Sequence, residues 1–473
     1  MFSKSYVLQK KNVDFVRRGD AQYWNPTALA TESTLKNIGG MPLSEVVNIP
    51  KDALTPRIGT LYNLIELADI DGNSGLTKYR KVKGHHIDSN KFKIPKDSVL
   101  FGRLRFYLKN IGISPVDSIC STEIRPIVPY NKNYPPEYIF LYLRTKYVHD
   151  ILIERSGGSN HPRIDDYDLE NLPIVGVNEA CLKMATQQTQ TAFKLFADAQ
   201  GEYTKAREII NNHLGIPINK EEKKYTSYVL WRKEVNITQS LDSGYWTGEN
   251  DFFKDSIRMK DVSDRIITGR TPAWGMYSNS SGVRILKVRH LSNEALSWDL
   301  KQRDYVHPLF YNKNVEASVQ IHDILLASAA HQSSYIGKDV SIVDYFPPEI
   351  DKAIVCAELN LIRPNSEIIN PFVLCVFMQQ KIFYNEIQRN IHGQTGHLYP
   401  DEIRKLPVPQ KLQNKNFPNR DIVEKLYKSS ASKTRESRAL IKEAVEAIEK
   451  EIDDLINLKL KETTIERKDL GEN

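Results

Sequence analysis

The chain is written twice, and that repetition constrains its fold more than any composition figure. Glu123 and Glu358, Pro136 and Pro371, Lys146 and Lys381, and Gly158 and Gly393 each stand 235 residues apart. They lie in two matching segments, one opening CSTEIRPIVPYNKNYPPEYIF at Cys120 and the other VCAELNLIRPNSEIINPFVLC at Val355. Leu172-Pro173 matches Leu406-Pro407 after a slip of one residue. Further upstream, Tyr23-Trp24 recurs as Tyr245-Trp246 and PKDSVLFGRL as IHDILLASAA, with spacings that drift. Self-similarity at a long period means one structural unit used twice. A chain of 473 residues also exceeds one ordinary core and suits two domains of similar size.

Each copy reads alike in physical terms. Val355, Ala357, Leu359 and Leu361 alternate with Glu358 and Asn360, which predicts one half-buried strand; Cys120, Thr122 and Ile124 hold the same places in the first copy. Pro136 or Pro371 then stands where a helix begins without losing a hydrogen bond. The apolar runs YIFLYLRTKYVHDIL and FVLCVFMQQKIFYNEI each predict a buried helix, followed by a glycine turn (SGGSNHPRI, IHGQTGHLY), a short helix and a Leu-Pro stop.

A long helix is expected after each stop. Leu182, Ala185, Thr189, Ala192, Phe196, Ala199, Tyr203, Ala206 and Ile210 step by three and four, a heptad seam of small and large residues. Ile441, Val445, Ile448, Ile452 and Leu455 keep that step, with Thr434 and Arg438 weakening the seam upstream. The first helix would run roughly 55 Å at about 1.5 Å per residue, longer than a domain of about 150 residues is wide. Two such helices most naturally pack on each other. The expected fold is therefore mixed α/β: two tandem domains alternating with two long helices in an antiparallel coiled coil, related by a pseudo-two-fold repeat. The seam is expected through Phe196, Tyr203, Ile210, Ile441, Ile448 and Leu455. Expected bounds are 1–176 and 241–410 for the domains, 177–215 for the first helix, 216–240 for a polar linker and 411–473 for the second helix with its tail.

The formal charge of +6 says less than its distribution. Lys78, Arg80, Lys81, Lys83, Lys91, Lys93, Lys96, Arg103 and Arg105 face only Asp88 and Asp97 in that stretch. Either this is a solvated basic face or it is a surface for a polyanion. No run approaches the roughly 20 apolar residues of a membrane span. The N-terminus lacks the apolar core of a secretory signal, and the four scattered cysteines suit a reduced, cytoplasmic protein.

The sequence carries no complete catalytic motif. NYPPEY at 133–138 imitates a methyltransferase Asn-Pro-Pro-aromatic motif, but Tyr134 interrupts it. PPEIDK at 347–352 has nuclease letters without an upstream aspartate partner. GRTP and GGSN lack the Gly-Lys-Ser/Thr of a phosphate loop. His85, His86, His161, His331 and His397 have no metal-ligand spacing.

The order of domain, helix, domain, helix resembles the specificity subunit of type I restriction–modification systems, over nearly the whole chain. TGRTP at 268–272 looks like the family's Gly-x-Thr-Pro loop, RILKVRHLSN like the strand after it, and HDILLASAAHQSSYIGK like its Gly-Asp-Ile-Leu turn. GQTGHLYPDEIRKLPVP looks like the segment leading to the helix; LYNLIELADID, PKDSVLFGRLR and GGSNHPRIDDYDLENLPI fit the same places in the first half. The chain departs from the family where a Pro-Leu-x-Glu-Gln run commonly opens the helix, which points to a divergent branch serving a related methylation-based phage-defence system.

The resemblance implies a non-catalytic subunit that reads double-stranded DNA at a bipartite, asymmetric target. It implies two adenine-N6 methyltransferase subunits as partners and, in some assemblies, a translocating endonuclease subunit. The chain itself would hold no cofactor or metal; S-adenosylmethionine, ATP and magnesium would belong to those partners. Base edges and phosphates are expected to meet Lys78, Arg80, Lys81, Lys83, Arg103 and Arg105 in the first half. In the second half they are expected to meet Arg270, Lys287, Arg289, His290, Ser328, His331 and Gln332. Two other readings stay open: a protein–protein scaffold built around the coiled coil, and an enzyme whose active site has no recognised motif.

Overall fold

The computed structural model describes residues 20–158, 161–216, 250–299, 303–391 and 396–469. The chain divides into two units, Met1–Leu195 with Glu436–Asn473, and Phe196–Arg435. The linker expected at 216–240, apart from Ile216, lies outside the described residues, as do Tyr245-Trp246 and Gly393. Both units are mixed α/β.

In the first unit, Ile124–Pro129 pairs antiparallel with Val99–Gly102, Ile124 opposite Gly102, and with Val47–Asn48. Val99–Gly102 pairs in turn with Ile111–Ile113. In the second unit, Leu359–Pro364 pairs antiparallel with Ile324–Ala327, Leu359 opposite Ala327, and with Ser263–Thr268; Ile324–Ala327 continues to Val340–Ile342. The register of the central pair is the same in both, whereas Ser263–Thr268 carries an irregularity between Ser263 and Arg265. A parallel pair repeats as well: Leu61–Ile65 beside Ser118–Ser121, and Val283–Leu286 beside Ala353–Val355. The units differ at the edge of this second sheet, where only the first adds Lys91–Ile94 and Ala53–Leu54 on the far side of Ser118–Ser121.

Two sequence expectations are corrected. The single strand expected through Val355–Leu361 is two strands, because the Leu359 amide bonds back to the Cys356 carbonyl and turns the chain from one sheet into the other. Leu359, Asn360, Leu361 and Ile362 are all buried, so the alternation does not mark a half-exposed face. The single apolar helix expected in each copy is also two, Pro136–Leu143 then Lys146–Arg155, and Pro371–Met378 then Lys381–Arg389. The prolines open the first of each pair, as expected. Thr145 and Gln380 have extended backbones, with ψ of 159° and 147°, which ends the helical ladder at each break.

The long helices run Glu179–Leu214 and Arg420–Asp469, the second starting only after a short turn at Gln410–Leu412. Within the first unit, Leu182, Ala185 and Ala192 share a core with Ile441, Ala444, Ile448, Ile452 and Leu455. Asn178 reaches Glu451 while Cys181 reaches the Ala447 carbonyl, so the two stretches are antiparallel. Within the second unit the Tyr203 ring meets Tyr427 and the His213 ring meets Phe417, which is antiparallel again. Ala185, Ala192, Ala199 and Ala206 are fully buried, the small residues that let helices approach closely. The seam is partitioned differently from the expectation. Phe196, Tyr203 and Ile210 are buried in the second unit, whereas Ile441, Ile448 and Leu455 pack in the first. Each set faces partners such as Val423 and Ala431, or Ala185 and Ala192, that a search for large apolar residues passes over.

Candidate nucleic-acid interface

In each unit one backbone arrangement gathers the loops that the sequence singled out. The strand Val99–Gly102 delivers Arg103, whose amide donates to the Glu123 carbonyl while its own carbonyl accepts from Ile164. Ile324–Ala327 delivers Ser328, whose amide donates to the Glu358 carbonyl while its carbonyl accepts from Leu398. Leu104 then bridges Arg163, and Ala329 bridges His397. The turn after one strand, the turn between the two sheets and the segment after the glycine turn are thus stitched together twice.

The Gly-x-Thr-Pro loop joins the same end of the second unit. Its Gly269 amide donates to the Leu359 carbonyl, and the Arg270 amide to that of Val355. A Cβ on Gly269 would sit 2.1 Å from the Cys356 carbonyl oxygen, so only glycine allows this approach. Thr268 donates to the Asn360 side-chain oxygen at 2.7 Å, and Asn360 donates onward to the Leu398 carbonyl at 2.8 Å.

The structure separates the expected contact residues into two kinds. Lys81 and Lys83 are exposed on Arg80–Lys83, the edge strand of the five-stranded sheet, where alternation puts them on one face. Arg80, also exposed, pairs with Asp69 at 3.2 Å, and Lys78 is half-buried. Lys91, from the same basic stretch, is buried and pairs with Glu66, so the stretch does not form one continuous face. Arg105 is exposed with a left-handed backbone, φ 52°, at the start of a one-turn helix that carries the exposed Tyr107 and Leu108. Arg103 instead pairs with Asp166, which also takes two bonds from Arg125. Burial would raise the Asp166 pKa, but Arg125 and Arg103 hold it below the usual carboxylate range.

In the second unit Arg270, Arg289, His331 and Gln332 are exposed, Arg270 beside Glu316 at 3.3 Å. Lys287, His290 and Ser328 are held by bonds within the unit. Ser328 is 5% exposed and its hydroxyl donates to the Ala357 carbonyl at 2.7 Å. His290 is 2% exposed and its Nδ1 accepts from the Lys287 amide at 2.8 Å. Burial, followed by the nearby Arg289, Arg284 and Lys287 charges, pulls His290 down to about 3, so the ring stays neutral. Asp304, fully buried, gathers Arg284, Lys287 and Arg289 around it. Residue type alone gave no warning of this cluster, because Asp304 lies outside the recognised motifs.

Among the described residues no group of three or more His, Cys, Asp or Glu is placed to hold a metal, and no helix is long and apolar enough to cross a membrane. Residues 10–175 match the family model of the type I restriction modification DNA specificity domain. Over that stretch the chain is similar to the specificity-domain family. No curated protein matches the chain. Among solved structures, one chain from work on complex assembly and conformational transition of the type I R-M system is 16% identical over 89% of this chain and 97% of its own, with a TM-score of 0.30. The HsdS subunit from Thermoanaerobacter tengcongensis is 15% identical over 85% and 95%, with a TM-score of 0.28. The type I S subunit from M. genitalium is 10% identical over 88% and 94%, with a TM-score of 0.36. The specificity domain supplies the loops of the first unit described above, and the second unit repeats its strand pairing residue for residue in the central sheet.

Proposed function

We propose that this chain is a non-catalytic DNA-recognition subunit that reads a bipartite, asymmetric target and directs adenine-N6 methyltransferase subunits to it. The observation that carries the reading is the family match over residues 10–175 together with the repetition of that unit's sheet register in the second. Two readers whose loops differ at equivalent places, the exposed Arg105 against Ala330 for example, suit two different half-sites. Two methyltransferase subunits, and an endonuclease subunit in some assemblies, are the partners; S-adenosylmethionine, ATP and magnesium are theirs. The site of action is the cytoplasm. Residues 1–176 and 241–410 act as the readers, with 177–215 and 411–473 as the helices joining them.

Methylome sequencing of cells with and without the chain tests this directly. Adenine methylation at one interrupted sequence should vanish when the chain is deleted. Exchanging residues 1–175 for those of a related subunit should change one half-site and leave the other. An unchanged methylome sinks the proposal, and loss of both half-sites on exchange sinks its two-reader form. Incubating the purified chain alone with DNA and labelled S-adenosylmethionine should give no transfer; robust transfer would make it an enzyme.

A further inference from the structure

Trp274 is 74% exposed, on the one-turn helix Trp274–Met276 just after the Gly-x-Thr-Pro loop. One face of its indole is covered, because the Arg303 guanidinium carbon lies 3.8 Å from the ring centroid. Arg303 is held in that place. Its backbone is left-handed, φ 61°, a conformation that costs any residue bearing a Cβ and persists only where the surroundings enforce it. The enforcing bonds are visible on both sides: its amide donates to Asn279 Oδ1 at 2.7 Å, and its carbonyl accepts from Lys287 Nζ at 2.5 Å. Lys287 is itself anchored by the buried Asp304 at 3.6 Å.

Stacking uses the flat face of a guanidinium and leaves its N–H donors lying in the plane. Among the described residues, none of the Arg303 side-chain donors meets a carboxylate or a carbonyl. The surroundings favour an anionic occupant. Among the described residues, Arg284, Lys287 and Arg289 converge on the buried carboxylate of Asp304 and Arg303 adds a fourth cation, while Asp299 faces Arg284 and Glu358 faces Lys287 and Arg289. A planar fork with a fixed orientation, free donors and a positive setting is the arrangement that pairs bidentately with O6 and N7 of guanine.

Resting on the DNA-reading function proposed above, we infer that Arg303 reads a guanine in the major groove of the second unit's half-site, with Trp274 as its positioning residue. The pair is pre-organised, so little side-chain freedom is lost on binding. Both residues belong to the second unit, so the effect is expected at one half-site only.

Selection of bound duplexes from a randomised pool by the full chain tests this. The wild-type chain should enrich a half-site containing a guanine that Arg303→Ala and Arg303→Lys both relax. Preference at that position should fall about 5- to 150-fold, the range a bidentate contact provides, while every other position is kept. Trp274→Ala should relax the same position and no other, and Trp274→Phe should restore it; a merely structural role would weaken all positions together. Thermal melting of each variant confirms that it remains folded. Unchanged base preference in both arginine variants, with only a smaller salt dependence for Arg303→Ala, makes Arg303 a phosphate contact and overturns the inference. Absence of any enrichment by the wild-type chain overturns the DNA reading itself, and is distinguished from the former by failing before any variant is compared.

Discussion

Arg144 and Gln379, 235 residues apart in sequence, break equivalent helices and then do the same work with different chemistry. Arg144 closes Pro136–Leu143 and its guanidinium donates to the carbonyls of Lys109, Ile111, Gly72 and Asn73. Gln379 closes Pro371–Met378 and its amide donates to the carbonyls of Asn293 and Val340. Both tie the helix break to the strand beside it and to a loop beyond, and so hold the loop end of each unit in register with the core.

That relationship predicts a graded loss of stability. Arg144 is 6% exposed and burial pulls its pKa down to about 10, yet it remains charged at neutral pH. Replacing it with Met should orphan several carbonyls and destabilise its unit by roughly 3 kcal/mol or more, a fall of about 6–12 °C in its melting transition. Gln379→Leu should cost about 1–3 kcal/mol in the second unit. Calorimetry of the full chain should show the two transitions moving separately; equal, small shifts would mean the ties are dispensable.

Acid should weaken the second unit through His290. Its folded pKa of about 3 lies below the unfolded value, so the unfolded chain binds a proton that the fold refuses. Stability from this source is complete above about pH 6.5 and falls as pH drops toward 3, with roughly 2 kcal/mol gone by pH 5. Urea titrations from pH 7.5 to 5 should show this slope in wild type and a flatter one in His290→Asn. A slope that survives the substitution assigns the acid sensitivity elsewhere.

Lys81, Lys83 and Arg105 should contribute to DNA affinity as phosphate contacts. Changing all three to Ala should reduce the salt-dependence slope by about 0.9 per lost contact, without altering which sequence is preferred. Arg103→Ala should behave differently, because its partner is Asp166 at 2.9 Å: it should lower melting temperature before it changes the salt slope. Filter binding across potassium chloride concentrations separates the two outcomes.

Asp97 and His322 both sit at positive φ, 64° and 74°, where a residue bearing a Cβ is strained. Asp97→Gly should stabilise by up to about 1 kcal/mol, the left-handed strain relieved less the added freedom of glycine when unfolded. His322→Gly should gain less, because the imidazole packs edge-on against Phe372 at 5.3 Å. Destabilisation by Asp97→Gly would show that its side chain compensates the strain.

The repeat, the prolines that open the buried helices and the alanine-lined long helices were legible in the sequence. Each is a local property: a constant offset, a residue that cannot donate, a step of three and four. Other features depended on neighbours that the chain brings from far away. The helix breaks at Arg144 and Gln379 were hidden in apolar runs, because the carbonyls that draw those side chains inward belong to distant strands and loops. Charge counting grouped Lys91 with Lys81 and His290 with Arg289, but pairing with Glu66 and packing around Asp304 decide which of them reach solvent. Trp274 and Arg303 carried no periodic signal at all. Amino-acid sequence determined that this protein is one structural unit built twice, since a repeat needs only residue order. Which polar side chains face outward was decided by tertiary structure alone, because a cation turns inward wherever the fold supplies a buried partner that offsets its lost hydration.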